Sequence, residues 1–367
     1  NKKLRQNSKV VLPISGGLDS RTLIIPVHNK FDVTLCSYAF EGGIDENLFA
    51  KLIAGKMGYT LHSYIISKGY LWNKINEIHS INNCFSEFTH PRQMAVIDNL
   101  KGLGNKLLLG HWGDVLFSRP IDIKNMKYDQ QLIYLKNKII KPGGIELAEL
   151  LWKYWGFYGS FDEYFTDRLD SLYSNIKIDE PSSKMRAFKS LYWAPRWTST
   201  NLSFFLQVSD LVLPYYDDEM CEYICSISEQ HLSSRKIQIE YIKKYSSDLA
   251  KIPWQKYYPL NLNNYKLYNN PLYFPIRAAK KTSRLLQKYL FNNSDYIIRN
   301  WELQFIGKNN YTQLQSNINK MVNLDKVIPK EVISNQLEYF KINPIKYSHP
   351  ISMLLTLSFF SQFHYKK

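Results

Sequence analysis

Apolar and polar residues alternate in two rhythms over the first 115 positions. Short, nearly continuous apolar runs at 9–14, 33–40, 60–66 and 106–110 read as strands, and 45–57 and 92–100 read as helices. In the first of these helices Leu48, Phe49, Leu52 and Ile53 recur at spacings of three and four and predict its buried face. Alternation of β and α over this length predicts an α/β fold, a parallel sheet with helices on both faces. From about 120 to 250 the pattern is mainly helical and rich in tryptophan and tyrosine. The stretch 261–272 (NLNNYKLYNNPL) reads as a polar loop. Beyond it, 276–290 reads as a basic amphipathic helix with Ile276, Leu285, Leu286 and Tyr289 on its apolar side. Two further helices close the chain, the last at 352–363. No internal repeat is visible. The expected organisation is one domain at 1–260, with a sheet core at 9–115 and a helical part at 120–260, followed by a mainly helical C-terminal extension at 261–367.

Parallel sheets of this kind bind ligands at the carboxyl ends of their strands. The first strand ends in Ser15-Gly16-Gly17-Leu18-Asp19-Ser20, and an apolar stretch at 22–27 follows. Two glycines allow a tight turn with exposed N–H groups. Together with the hydroxyls of Ser15 and Ser20 and a helix N-terminus, those groups form a nest for phosphate. No lysine lies in the loop, which separates it from the GxxxxGK[ST] phosphate loop. Asp19 is placed to hold a magnesium ion against bound phosphates. A second turn, 110–114, ends the 106–110 strand and carries Asp114, which reads as a second magnesium ligand or as a helix N-cap.

Composition narrows the picture. At 367 residues, 45% hydrophobic and 22% charged, the chain has the balance of a globular protein of about two domains. Cys36, Cys84, Cys221 and Cys225 form no CxxC pair, which excludes a zinc ribbon, a disulfide scaffold and a redox pair and makes a reducing cytoplasm the expected compartment. No signal peptide is visible, and the apolar run at 351–360 is too short to span a bilayer. The formal charge is +15, of which 13 − 3 = +10 falls within 231–300. This excess reads first as solvated surface and next as the surround of a site that handles ATP and pyrophosphate; nucleic acid is the least favoured use.

The six-residue loop resembles the SGGxDS loop of enzymes that split ATP into AMP and pyrophosphate. Further segments in order resemble the asparagine synthetases. These are Ser37-Tyr38-Ala39-Phe40, then Asp45-Glu46 with Ala50, Ala54, Gly58 and His62. Next come Leu107-Leu108-Leu109-Gly110-His111-Trp112-Gly113-Asp114-Val115-Leu116-Phe117 and Leu213-Pro214-Tyr215-Tyr216-Asp217. Last, Lys236-Ile237-Gln238-Ile239 and Lys256-Tyr257-Tyr258-Pro259 are the weakest matches. Together these segments span Val10 to Pro259. The resemblance implies the adenine nucleotide alpha hydrolase-like fold. It also implies ATP and magnesium as cofactors and activation of a substrate carboxylate as an acyl-adenylate, with ammonia or an amine then forming an amide. It implies adenine against Ile14, Phe40, Leu109 and Gly110, phosphates on Ser15, Gly16, Gly17 and Ser20, magnesium on Asp19 and Asp114, and pyrophosphate contacts from Lys236 and Lys256. As residues, the two lysines also read as exposed side chains in the most basic part of the chain.

Departures from the family pattern bear on the substrate. Its glutamate after the first glycine of GEGxDE is His111 here, its next glycine is Trp112 and its final glutamate is Val115. His111 reads as packing beside Trp112, with a general base as the other use. Arg21 reads as a surface residue of the first helix, with a contact to an anionic substrate as the other use. The altered acids point to a carboxylate, small or peptidic, other than free aspartate. In glutamine-dependent members of that family a glutaminase domain carries an N-terminal cysteine nucleophile; nothing before Lys9 fits it, so if ammonia comes from glutamine, that domain is expected upstream of Asn1 or on another chain. Peptide or β-lactam ring closure within the same family, transfer-RNA modification by a related loop enzyme, and a non-catalytic binding role stand as the alternatives.

Overall fold

A computed structural model of the chain describes residues 4–41, 45–117, 123–275, 277–279, 282, 304–324 and 327–364. The helix expected at 276–290 has all four of its apolar positions outside these residues. Two compact units interleave along the chain. One comprises Asn1–Lys68, Ala95–Arg119 and Phe205–Ile298; the other comprises Gly69–Met94, Pro120–Phe204 and Arg299–Lys367. The linear division at 260 therefore does not follow the compact units, because the helices after 120 and those after 304 belong to the same one.

The first unit holds five parallel strands, β1 (Lys9–Pro13), β2 (Asp32–Phe40), β3 (Leu61–Ile66), β4 (Lys106–Leu108) and β5 (Asp210–Val212), in the order β3-β2-β1-β4-β5. Val10 pairs with Val33 of β2 and with Lys106 of β4, which fixes β1 at the centre. Side chains of successive strand residues point to opposite faces. Val10, Val11 and Leu12 are all buried, so both faces of β1 are covered, as parallel sheets require. β5 lies in the stretch that reads as helical. Its three residues show no periodicity of their own and are defined by pairing with β4, Leu107 against Leu211.

Helix α1 (Asp19–Val27) follows β1, and α2 (Glu46–Met57) follows β2. The buried stripe of α2 is Phe49, Ala50, Ile53 and Ala54, whereas Leu48 and Leu52 are 43% and 41% exposed. The expected face is thus rotated by about a residue: the two small alanines allow close packing, and the leucines stay partly in solvent. The helix expected at 92–100 is broken into a 3-10 turn (Arg92–Ala95) and one helical turn (Ile97–Leu100). Later in the unit come α3 (Asp218–Ser226) and α4 (Lys236–Tyr245). The polar stretch after 260 contains two 3-10 turns, Tyr265–Asn269 and Pro271–Tyr273.

Helices dominate the second unit. Tyr70–Asn82 is a helix the pattern reading missed, and the C-terminal part consists of Lys308–Ile318, Lys330–Ile342 and Pro344–His364. A core of Ile123, Leu135, Leu169, Tyr173, Ile176, Met185 and Phe188 forms among the helices after 120. There Tyr173 satisfies its buried hydroxyl on Gln131 Oε1 at 2.7 Å. A buried carboxylate, Glu87, accepts hydrogen bonds from the Thr89 N–H, the Thr89 hydroxyl and the Ser352 hydroxyl, which ties the 82–89 turn to the last helix. Among the described residues no helix is long and apolar enough to cross a membrane.

Candidate functional site

The strand order reverses at β1, whose neighbours are β2 on one side and β4 on the other. In open parallel sheets ligands bind beside such a reversal, outside the carboxyl ends of the strands. Both candidate turns lie there, within the first unit.

The loop after β1 is organised by its own side chains. The Ile14 N–H is held by the Cys36 carbonyl at 2.8 Å. The Ser15 N–H donates to Ser20 Oγ at 3.4 Å, and the Gly17 N–H donates to Ser15 Oγ at 3.3 Å. Each serine oxygen thus accepts from within the loop and keeps its own O–H to donate to a ligand. Gly16 is a requirement of space: a Cβ there would stand 2.6 Å from Gln255 Cβ and 2.8 Å from the Phe49 ring.

Arg21 is not on the surface. Its side chain is fully buried, and its guanidinium donates to the carbonyls of Ile252 at 3.0 Å, Pro253 at 2.9 Å, Leu249 at 3.4 Å and Gly16 at 3.5 Å. Burial lowers its pKa to about 10. The Gln255 N–H also donates to the Gly16 carbonyl, at 3.4 Å. Arg21 and Gln255 together stitch the 249–257 segment onto the 15–20 loop. Arg21 is structural, and the expected surface position is corrected. Helix position alone gave no sign of this, because three of its four carbonyl partners lie more than 225 residues away.

Asp19, the first residue of α1, is the most constrained group of the site. Its Oδ1 accepts from Arg235 Nη1 at 3.0 Å and from Gln238 Nε2 at 3.0 Å, while its carbonyl accepts from the Tyr215 hydroxyl at 3.0 Å. Burial pushes its carboxyl pKa up, with the Arg235 cation and the Gln238 bond pulling against it and the Asp114 charge adding to the rise. The 110–114 turn packs directly on this carboxylate. A Cβ on Gly110 would stand 3.2 Å from Asp19 Cβ, and a Cβ on Gly113 would overlap Asp19 Oδ1. Trp112, at φ 76°, occupies the N-cap position of the short helix Gly113–Leu116. Asp114 is therefore inside that helix, exposed, and not its cap.

The residues expected around adenine take two environments. Ile14 and Leu109 are buried at 3% and 1% exposure, whereas Phe40 and Gly110 are half-buried. His111 meets the Phe205 ring edge-on at 5.8 Å, and buried Trp112 lies 5.8 Å from the Tyr216 ring. His111 thus packs on an aromatic ring, but the ring is that of Phe205.

The two lysines part company. Lys236 is exposed and its Nζ is engaged by the Gln230 carbonyl at 3.0 Å. Lys256 is exposed beside the stitched Gln255, its Nζ 5.1 Å from the Tyr257 ring centroid. The cation that reaches Asp19 is Arg235. The pattern reading missed Arg235, Gln238 as a partner of Asp19, and Tyr215. Arg235 precedes Lys236 directly, so composition marks the place without deciding which of the two side chains turns inward.

Among the described residues no three His, Cys, Asp or Glu side chains cluster to hold a metal by themselves. The charge of Asp114 reaches Asp19, and the two carboxylates offer hard oxygen donors. That set fits magnesium, which keeps most of its waters and takes one or two carboxylates together with substrate phosphates. Compared with the models of protein families and with curated proteins, the chain matches none.

Proposed function

We propose that this protein is an AMP-forming amide synthetase: it activates a substrate carboxylate with ATP, releases pyrophosphate and joins the acyl group to ammonia or an amine. The observation that carries the reading is the meeting of the 15–20 loop with the 110–114 turn where the strand order reverses, with Asp19 at the junction. An adenine nucleotide alpha hydrolase-like fold is part of the same proposal.

In this reading the hydroxyls of Ser15 and Ser20 present O–H donors to the phosphates, and the Gly16-Gly17 backbone lets them come close. Ile14, Phe40 and Leu109 supply apolar surface for the adenine, and the Gly110 backbone comes close to it. Asp19 and Asp114 are the residues that would hold magnesium, which when bound offsets charge on the phosphate oxygens. Lys256 supports the leaving pyrophosphate as a mobile point charge. Lys236 has a smaller part, because the Gln230 carbonyl already engages its ammonium. Trp112 and His111, where the resembled family has glycine and glutamate, lie in the turn packed on Asp19 and point to a carboxylate other than free aspartate.

The deciding experiment follows ATP turnover by product analysis with candidate carboxylates and ammonium. AMP and pyrophosphate are the expected products. ADP and phosphate would overturn the assignment, and tight, sequence-selective transfer-RNA binding at physiological salt would favour the nucleic-acid enzyme instead.

A further inference from the structure

Arg235 is held in an unusual way. Ser234 and Arg235 are consecutive residues with left-handed backbone, at φ 57° and 60°, immediately before α4. Neither is glycine, and L-residues adopt this conformation only at a cost. The left-handed step ends the preceding turn and directs the Arg235 guanidinium to Asp19 Oδ1 while Lys236 stays outside. Arg235 is largely shielded from solvent, with 18% of its side chain exposed, and Asp19 has 23%. Gln238, one turn into α4, holds the same oxygen from a second direction. One oxygen of the carboxylate proposed to hold magnesium is thus already engaged by a protein cation.

We propose that Arg235 is a positioning residue that stands in for the metal: it holds the Asp19 carboxylate aimed before the cation and nucleotide arrive, and competes with the cation for Oδ1. The inference rests on the magnesium role given to Asp19 above. Two consequences follow from charge alone. A cation that binds at Oδ1 must break a charge-assisted hydrogen bond, so metal by itself binds weakly. An anionic phosphate brought in with the metal gives the displaced guanidinium a new partner, so metal and nucleotide bind cooperatively.

The test is a titration with Mn2+ alone, read by the electron paramagnetic resonance signal of the free ion, on the full chain and on Arg235→Gln and Asp19→Asn, with circular dichroism as the check on folding. Removing one charge-assisted bond that the metal must break predicts about tenfold tighter Mn2+ binding to Arg235→Gln than to the unmodified chain. Asp19→Asn is expected to bind most weakly. A folded Arg235→Gln that binds Mn2+ no more tightly than the unmodified chain, while Asp19→Asn binds more weakly than both, overturns the stand-in role and leaves the metal role of Asp19 intact. Equal binding by all three overturns both. If Arg235→Gln fails to fold, Arg235→Lys takes its place: its compact ammonium lacks the guanidinium fork, and tighter Mn2+ binding than to the unmodified chain is again required. Adding ATP should narrow the difference between the unmodified chain and the Arg235 variant; a difference that ATP leaves unchanged counts against the cooperative part.

Discussion

Gly113 lies against the carboxylate of Asp19 so closely that a methyl group there would overlap Oδ1 and crowd the Tyr215 ring. The turn after β4 and the helix after β1 are therefore one mechanical object. Gly113→Ala is expected to cost about 1–3 kcal/mol through overpacking. It should also lower pyrophosphate release by about 10²-fold, because a displaced carboxylate misplaces whatever it holds. Thermal melts and a coupled pyrophosphate assay measure both.

Asp19→Asn keeps the size of the side chain and removes its charge. Pyrophosphate formation should fall on the order of 10²-fold or more, with the circular dichroism spectrum unchanged. A variant that turns over normally would make the carboxylate structural. Asp114→Asn should act in the same direction.

Lys256→Ala and Lys236→Ala should separate. Lys256 flanks the Gln255 that is stitched to the loop, whereas Lys236 is exposed and engaged by the Gln230 carbonyl. Turnover is expected to fall by about 10²-fold for Lys256→Ala, the scale of losing one charge-stabilising group, and by only a few fold for Lys236→Ala. Steady-state kinetics of the two purified variants decides it, and the reverse ranking would exchange their roles.

Arg21→Met should destabilise the fold by about 3 kcal/mol or more, because several buried carbonyls lose their donor at once. Arg21→Lys should recover little, since one ammonium cannot reproduce the guanidinium fork. Urea unfolding at neutral pH reads the effect; a shift under 1 kcal/mol would mean the carbonyls find water instead.

Acid should weaken the second unit through two histidines. Burial lowers the pKa of His79, reinforced by the charge of His364. Burial also lowers that of His349, where Glu87 opposes the shift and Lys141 adds to it. Both groups are held neutral, so below the unfolded value of 6.5 the unfolded chain binds more protons than the folded one. Their contribution is complete above pH 6.5 and is lost as pH falls from there to the lowered folded values. The melting temperature should therefore drop as pH falls below 6.5. His79→Phe, which keeps the stack on Phe363 at a ring distance of 4.0 Å, together with His349→Gln, should flatten that slope. An unchanged slope would assign the acid sensitivity to other groups.

What the sequence determined by itself is local. The continuous apolar runs of β1 and β2, the glycine loop between β1 and α1, and the turn after β4 were legible because strand burial on both faces and tight turns are written in a few consecutive residues. Asp19 was legible for the same reason. The tertiary structure alone decided which partners meet. β5 is three residues with no rhythm, defined by β4 beside it. The buried face of α2 depends on where small alanines allow close approach. Arg21 reads as a surface residue until carbonyls from 249–253 surround it, and Arg235 reads as one more cation in a basic stretch until two left-handed residues turn it onto Asp19. Periodicity records which residues a short element buries. It carries no trace of contacts that close loops of more than two hundred residues, because those are settled only when distant backbone and charge compete for the same buried space.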